Sequence, residues 1–402
     1  MAEPTRADAT KAAVTTAATT DPTTGTTADR PLRIAMVSYY LPSGSKIGVG
    51  FQAHELAAEL ARRGHHVAMF SDCPPVPGAP YEHRHVAMSG SLRTFRFATA
   101  LRRQDLSGFD VLHAHGDDYW LWRRRAPLHV RTVHGSCFEE ARHIRGAKEK
   151  LRMLLLGVSE VVASYVADRV VVVSPQTRRW VPRSHAVVPN GVDTTRFTPA
   201  DDGARADHPV VLFVGTWHGR KRGRDLAAAF QRDVLPRLPD AELWMVTRDA
   251  PQDPGPGVRV LGRLSDAELA DAYRRAWVFC LPSSYEGFGI PYAEAMASGL
   301  PVVATPNVGA RYVSDEGRAA VLTELDGLGA ALADLLESPD RRADLTARGL
   351  DRVRSFSLTA VADAYERLYR GGAPAGRTTA ARTTAGTAPA PQTTTAQHGE
   401  SR

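Results

Sequence analysis

At 402 residues, 43% hydrophobic and 23% charged, the chain has ordinary globular composition and length for two to three domains of about 150 residues each. Three cysteines (Cys73, Cys137 and Cys280) without a C-x-x-C spacing exclude a disulfide framework and a zinc finger, and point to a reducing compartment. No apolar run is long enough to span a membrane, and residues 1–30 lack the apolar core of a secretory signal.

The net charge of +6 hides two unlike halves. Residues 31–200 hold 23 Lys/Arg against 14 Asp/Glu, whereas residues 201–370 sum to −4. A basic first half suits an anionic partner, or else simply solvates the surface. Nucleic acid is set aside as that partner, because no reader motif is present and the arginines are scattered.

Taken in chain order, residues 1–30 contain ten threonines and eight alanines without apolar periodicity, and residues 371–402 repeat that bias. Neither tail can bury enough apolar surface to offset its ordering entropy, so both are predicted to be disordered. Between them strand and helix patterns alternate. Residues 32–37 read as a strand. A helix follows over 51–63, with Phe51, Leu56, Leu60 and Ala61 inward and Gly64 at its end, and then a strand over 67–70. Further buried strands are predicted at 111–112, 130–133 and 170–173. Turn chemistry at Pro189-Asn190-Gly191-Val192-Asp193 and a polar stretch over 199–208 mark a boundary. The grammar then restarts with a strand at 210–214, a helix at 224–233, and strands at 243–246 and 258–261. A capping box, Ser265 to Glu268, opens a helix to Arg275. A strand at 278–281, a helix at 291–298, a strand at 302–304 and a terminal helix at 358–369 complete the pattern.

This is βαβ grammar twice over, an α/β chain of two Rossmann-like doubly wound domains facing across a cleft. The expected division is 31–198, 209–356, and a C-terminal helix, 357–370.

The most informative run is Pro282-Ser-Ser-Tyr-Glu286-Gly-Phe-Gly289-Ile-Pro291-Tyr-Ala-Glu294. Amides opening a helix attract phosphate, glycines allow close approach, and carboxylates accept hydrogen bonds from hydroxyls. One site with all three features suits a molecule bearing both a diphosphate and sugar hydroxyls. The run resembles the E-x7-E motif of the retaining family 4 glycosyltransferases, which have the GT-B fold. Asn190-Gly-Val-Asp193 resembles that family's interdomain signature, and Val260-Leu-Gly262-Arg263-Leu264 its nucleotide-base loop. Gly299-Leu-Pro301-Val-Val resembles the strand after its motif helix, and the resemblance implies that the C-terminal helix, 357–370, crosses back to the first domain.

The resemblance implies roles residue by residue. Glu294 would bind the donor's ribose, and Glu286 the hydroxyls of the transferred sugar. The backbone at Gly287, Phe288, Gly289 and Ile290 would hold the sugar and distal phosphate, and Arg263 and Leu264 would flank the base. Arg222 stands at the family's phosphate-neutralising lysine. Thr216 stands where an arginine is usual, so Arg220 or Lys221 would supply the second cation. Gly48, Gly50 and Gln52 resemble the glycine loop near acceptor and diphosphate. That stretch also mimics a dinucleotide fingerprint, with Asp72 downstream, but ten residues separate it from its strand, too many for the tight turn required. His115 would lie beside the reacting sugar and His134 near the acceptor, with His113 a core residue. Asp117 and Asp118 are read either as acceptor-binding or as a solvated loop. Glu286, His115 and Arg222 form the expected catalytic set; neither metal nor cofactor is expected.

The expected reaction transfers a hexose-type sugar from a nucleotide diphosphate, UDP favoured over GDP, to an acceptor hydroxyl in glycolipid or secondary-metabolite synthesis. A nucleotide-sugar epimerase and a non-catalytic nucleotide-sugar-binding protein are the alternatives. An anionic or lipid-phosphate acceptor would suit the basic half. Arg142, Arg145, Lys148 and Arg152 precede an apolar run, 153–156. This is either a cationic helix resting on an anionic membrane at the inner face of the cell, or a buried helix with a solvated face.

Overall fold

A computed structural model describes residues 30–44, 48–88, 93–121, 128–142, 144, 146–201 and 203–371. The Thr/Ala-rich tails, and with them the expectation of disorder, lie outside the described residues, as does Arg145.

The strands form two separate sheets, parallel throughout. The first contains β1 (Arg33–Val37), β2 (His66–Ser71), β3 (Glu82–His85), β4 (Val111–Ala114), β5 (Leu128–Val133), β6 (Arg169–Val172) and β7 (Ala186–Val187), in the order β3-β2-β1-β4-β5-β6-β7. The second contains β8 (Val210–Val214), β9 (Glu242–Val246), β10 (Val258–Val260), β11 (Val278–Leu281), β12 (Val302–Ala304) and β13 (Val321–Leu322), in the order β10-β9-β8-β11-β12-β13. In the first half the helices are α1 (Gly48–Arg62), α2 (Arg93–Leu101), α3 (Cys137–Arg142) and α4 (Ala147–Val166). The second half adds α5 (Gly223–Ala229), α6 (Asp266–Arg275), α7 (Ile290–Ala297), α8 (Val308–Val313), α9 (Leu328–Glu337), α10 (Pro339–Val353) and α11 (Leu358–Tyr369). Among them no helix is long and apolar enough to cross a membrane. Both sheets start, step outward and return past their first strand, the two-way winding that gathers ligands at the carboxyl ends of the strands.

Valine-rich runs made the central strands legible, because parallel strands covered on both faces are apolar throughout; all four valines of 170–173 are buried. Of the four edge strands only β10 was anticipated, as the strand over 258–261. β3 reads Glu-His-Arg-His, with no residue fully buried, and β7 and β13 are two residues each. The helix expected over 224–233 instead changes winding, from α5 to a π turn at Phe230–Val234.

Two local readings need correction. The glycine segment at 48–50 is the first turn of α1 rather than a loop. A Cβ on Gly50 would lie 2.7 Å from the Tyr40 carbonyl oxygen, so only glycine lets the helix start this close to the loop after β1. The buried stripe of α1 is Gln52, Ala53, Leu56, Ala57 and Leu60, while Phe51 and Ala61 are only half-buried.

The last helix returns to the first half of the chain. Val361, Ala362, Tyr365, Leu368 and Tyr369 of α11 join the core under β1, β2 and α1. Arg63 pairs with Asp363 at 2.6 Å. Beside this crossing, the Val192 amide donates to the Phe356 carbonyl, and the Leu358 amide to that of Val192. Both amide groups of Gln52 are bonded to the Gly191 peptide, at 2.7 and 2.9 Å.

Candidate active site

The loop from β11 to α7 carries Glu286 and is braced from beneath. Thr305 and Asn307 donate to the Ser283 carbonyl, at 2.6 and 3.0 Å, and the Gly309 amide donates to that of Glu286. Gly289 ends the loop at φ 90°, where an added Cβ would sit 2.3 Å from the Tyr292 ring. That left-handed residue turns the chain into α7, where Pro291 has no N–H and the Tyr292 amide donates to the Gly289 carbonyl, leaving the Ile290 amide as the one at the helix start without an intrahelical partner. The Phe288 side chain points into the core against Tyr312 and Phe356, so only its backbone is available to a ligand.

Glu286 is 6% exposed and held by two cations. Lys221 Nζ lies 2.6 Å and Arg220 2.9 Å from its Oε1. Burial raises the carboxyl pKa, but Lys221 and Arg220 outweigh it and hold the group below its ordinary range. Arg220 also donates to the Tyr285 carbonyl at 2.8 Å. The cations come from the turn after β8, where Arg222 occupies the left-handed region at φ 57°. A non-glycine residue there is strained, a state that concentrates at functional sites. Among the described residues Arg222 makes no ion pair. With Trp217, His218, Gly219, Arg220, Arg224, Asp225 and Ser284 it lines an open hollow of about 670 Å³. Thr216 is engaged locally, its hydroxyl donating to the His218 carbonyl.

Glu294, in the second turn of α7, accepts a hydrogen bond from the Tyr273 hydroxyl of α6 at 2.9 Å. Burial pushes its pKa up to about 7, with Tyr273, Arg196 and Lys221 only partly opposing. Arg263 is exposed beyond the carboxyl end of β10, and Leu264 packs at the rim of the core.

The first half of the chain meets this loop directly. A Cβ on Gly48 would lie 3.5 Å from Ile290, which sets the first residues of α1 and α7 against each other. One on Gly287 would lie 2.7 Å from the His134 carbonyl oxygen. The Tyr285 hydroxyl engages the Ser136 backbone. Two helix N-termini and three cations therefore converge where the sheets' carboxyl ends face each other, an arrangement that stabilises negative charge.

Behind this junction runs a chain of imidazoles. His134 Nδ1 lies 2.9 Å from Asn190 Oδ1, and His134 Nε2 lies 2.9 Å from His115 Nδ1. If the Asn190 oxygen accepts, His134 donates to it and accepts from His115, whose bare Nε2 then faces the Met36 sulfur at 3.1 Å. Burial lowers both histidines, His134 to about 4 and His115 well below its ordinary value, so both are neutral at physiological pH. His113 is bonded to Tyr369 and Thr132 in the core.

Asp117 and Asp118 part company. Asp117 holds a left-handed backbone at φ 58°, and burial raises its pKa to about 7, against Arg131 and the Tyr119 hydroxyl 3.4 Å away. Asp118 is neither a solvated loop residue nor open to an acceptor. It is fully buried, paired with Arg131 and, at 2.8 Å, with His129 of β5. Gln52, expected at the acceptor, is engaged with the Gly191 peptide. Sequence reasoning missed Asn190, Tyr273 and the Thr305–Asn307 brace as parts of the site. Asn190 lay within a quoted signature, but the others carry no local signal.

Two family models match the chain, one described as "Glycosyltransferase Family 4" over residues 47–196 and one as "Glycosyl transferases group 1" over 208–338. The chain is 30% identical over 374 residues to the phosphatidyl-myo-inositol mannosyltransferase of Mycolicibacterium smegmatis, spanning 84% of this chain and 93% of that protein. It is also 30% identical to the D-inositol 3-phosphate glycosyltransferase of Kineococcus radiotolerans, spanning 84% and 95%. Among solved structures it resembles the sucrose-phosphate synthase of Thermosynechococcus elongatus, with TM-score 0.70, 23% identity, and coverage of 85% of this chain and 98% of that one. Anabaena HepE bound to UDP-glucose gives TM-score 0.67 at 16% identity, covering 85% and 100%. The family models and the two curated relatives are named as glycosyltransferases, which sets aside the epimerase and the non-catalytic binder: the chain belongs to the family 4 glycosyltransferases and is a transferase of the GT-B fold.

Proposed function

We propose that the protein is a retaining transferase that moves a hexose-type sugar from a nucleotide diphosphate, a UDP-sugar ahead of a GDP-sugar, to a hydroxyl of an anionic or lipid-linked acceptor. One observation carries the reading: the N-termini of α1 and α7 abut beside a carboxylate already clasped by two cations. A diphosphate entering there accepts hydrogen bonds from free amides and competes with Glu286 for Lys221 and Arg220. Glu286, released, turns its oxygens to the hydroxyls of the sugar being transferred. Glu294 takes the ribose hydroxyls, and Lys221, Arg220 and Arg222 stabilise the charge that grows on the leaving diphosphate. Same-face attack, with a donor phosphate oxygen taking the acceptor's proton, is the route that the resemblance to the family implies. The neutral His134–His115 chain orients the acceptor side without adding charge, and Asp117, beside it, receives an acceptor hydroxyl.

The UDP preference draws on the HepE complexes with UDP and UDP-glucose. The anionic acceptor draws on the basic first half and on two relatives whose names specify phosphate-bearing inositol compounds. On this reading the enzyme works at the cytoplasmic face of a membrane, in glycolipid or secondary-metabolite synthesis. The test is Glu286→Gln, assayed with a panel of UDP- and GDP-sugars. Transfer and donor hydrolysis should fall about 100-fold or more, while UDP or GDP binds as tightly as before or tighter, because Lys221 and Arg220 are freed for the diphosphate. Retained turnover in this variant would refute the assignment.

A further inference from the structure

Among the described residues, seven large apolar side chains are exposed, and six of them lie on α4. Leu151, Leu154, Leu155, Val158, Val162 and Tyr165 are 39–61% exposed, and their spacing places them on one side of the helix. The stripe runs about 21 Å along the axis. The reading of α4 as a buried helix with an ordinary solvated face therefore fails: its solvent face is the apolar one. Nor can the helix roll to hide it. Met153, Leu156, Gly157 and Ala163 are already packed inward. A Cβ on Gly157 would meet the Phe138 ring at 2.9 Å, and Glu160 is pinned by the Cys137 amide and thiol, both at 3.1 Å.

Charge selects the occupant. Residues 142–183 hold nine Lys/Arg against three Asp/Glu, and one of those acids, Glu160, faces inward to Cys137. Lys148 and Lys150 stand at the start of the stripe. Arg169 and Arg183 stand beyond its end, Arg183 donating to the Tyr165 carbonyl with its guanidinium 5.8 Å from that ring. None of these four cations makes an ion pair among the described residues. A second copy laid on this face, parallel or antiparallel, would bring cations against cations. An anionic headgroup layer satisfies both ends while its acyl region accepts the stripe.

We propose that the exposed face of α4 is the surface by which this protein docks on an anionic lipid bilayer. The inference deepens the lipid-acceptor reading and rests on it for its purpose. α3 and α4 follow directly from the 134–136 loop that touches Gly287, so a docked α4 brings the acceptor side of the cleft to the headgroup layer. The test is co-sedimentation with phosphatidylcholine vesicles, with and without phosphatidylglycerol, at low salt. The full chain is compared with the triple variant Leu151→Ser, Leu155→Ser, Val158→Ser, and with Lys148→Glu, Lys150→Glu. The parent should bind only the anionic vesicles, and each variant should lose about tenfold or more in partitioning. Nucleotide-induced thermal shifts should be unchanged, which reports an intact fold and donor site. Absence of binding by the parent, equal binding by the triple variant, or a parent dimer that the triple variant dissolves would each overturn the proposal. If the parent binds vesicles but turns over no nucleotide-sugar, the transfer reading fails and the docking surface stands.

Discussion

Glu294→Gln separates the cost of the site from its use. In the ligand-free protein burial raises Glu294 from its ordinary 4.5 to about 7. Below the lower value the carboxyl is protonated in both folded and unfolded chains, so its ionisation has no effect on stability. Between the two values only the unfolded chain is ionised, and stability falls as pH rises. Above about 7 both are ionised and the full penalty is present, roughly 3 kcal/mol for this difference in pKa. Glutamine is neutral throughout and keeps an oxygen for the Tyr273 hydroxyl. At about pH 8 the ligand-free variant should therefore be the more stable protein by about 2–3 kcal/mol, or on the order of 5–10 °C in the melting of its domain. At about pH 4 the two should melt together. Nucleotide binding should move oppositely. An ionised carboxylate is the stronger acceptor for ribose hydroxyls, by about 1–2 kcal/mol, so the variant should bind UDP or GDP roughly five- to thirty-fold more weakly at high pH. The gap should close as pH falls through about 7 and the parent's own carboxyl protonates. Differential scanning fluorimetry and titration calorimetry across pH provide both curves. A variant that is less stable at high pH, or that binds nucleotide as well as the parent there, would refute the assignment of Glu294 as a buried, hydroxyl-accepting carboxylate.

Two further substitutions test the scaffold. Gly289→Ala forces a side chain into the left-handed region and against Tyr292; about 3 kcal/mol of stability and most nucleotide affinity should be lost together, and an unaltered melt would show that the α7 entry tolerates a Cβ. Arg131→Met strands the fully buried Asp118 beside His129 alone. It should cost about 3–5 kcal/mol in denaturant unfolding, most of it recovered when Asp118→Leu is added, and additive losses would exclude a paired role.

Much of this protein was legible because its chemistry is local. The valine runs of β6 and β8, the Ser265–Glu268 capping box, and the glycines and proline around Glu286 each declare themselves within a few residues. The apolar run at 153–156 was ambiguous for the opposite reason. Periodicity assigns it a helix but not which side faces the protein, and the inward positions proved to be Met153 and Leu156, with Leu154 and Leu155 left outside. Asp117 and Asp118, adjacent in sequence, were indistinguishable until β5 supplied Arg131 and His129 to one of them.

By itself the sequence determined the two-unit α/β plan, the carboxylate pair and the basic turn, since these depend on hydrophobic period and on backbone preferences of neighbouring residues. Only the tertiary structure decided that Glu286 is clasped by Lys221 and Arg220, that Asn190, His134 and His115 form a neutral chain, and that α4 turns its apolar side to solvent. Those outcomes depend on distances between residues far apart in the chain, where burial sets the protonation state and packing sets which face is left over.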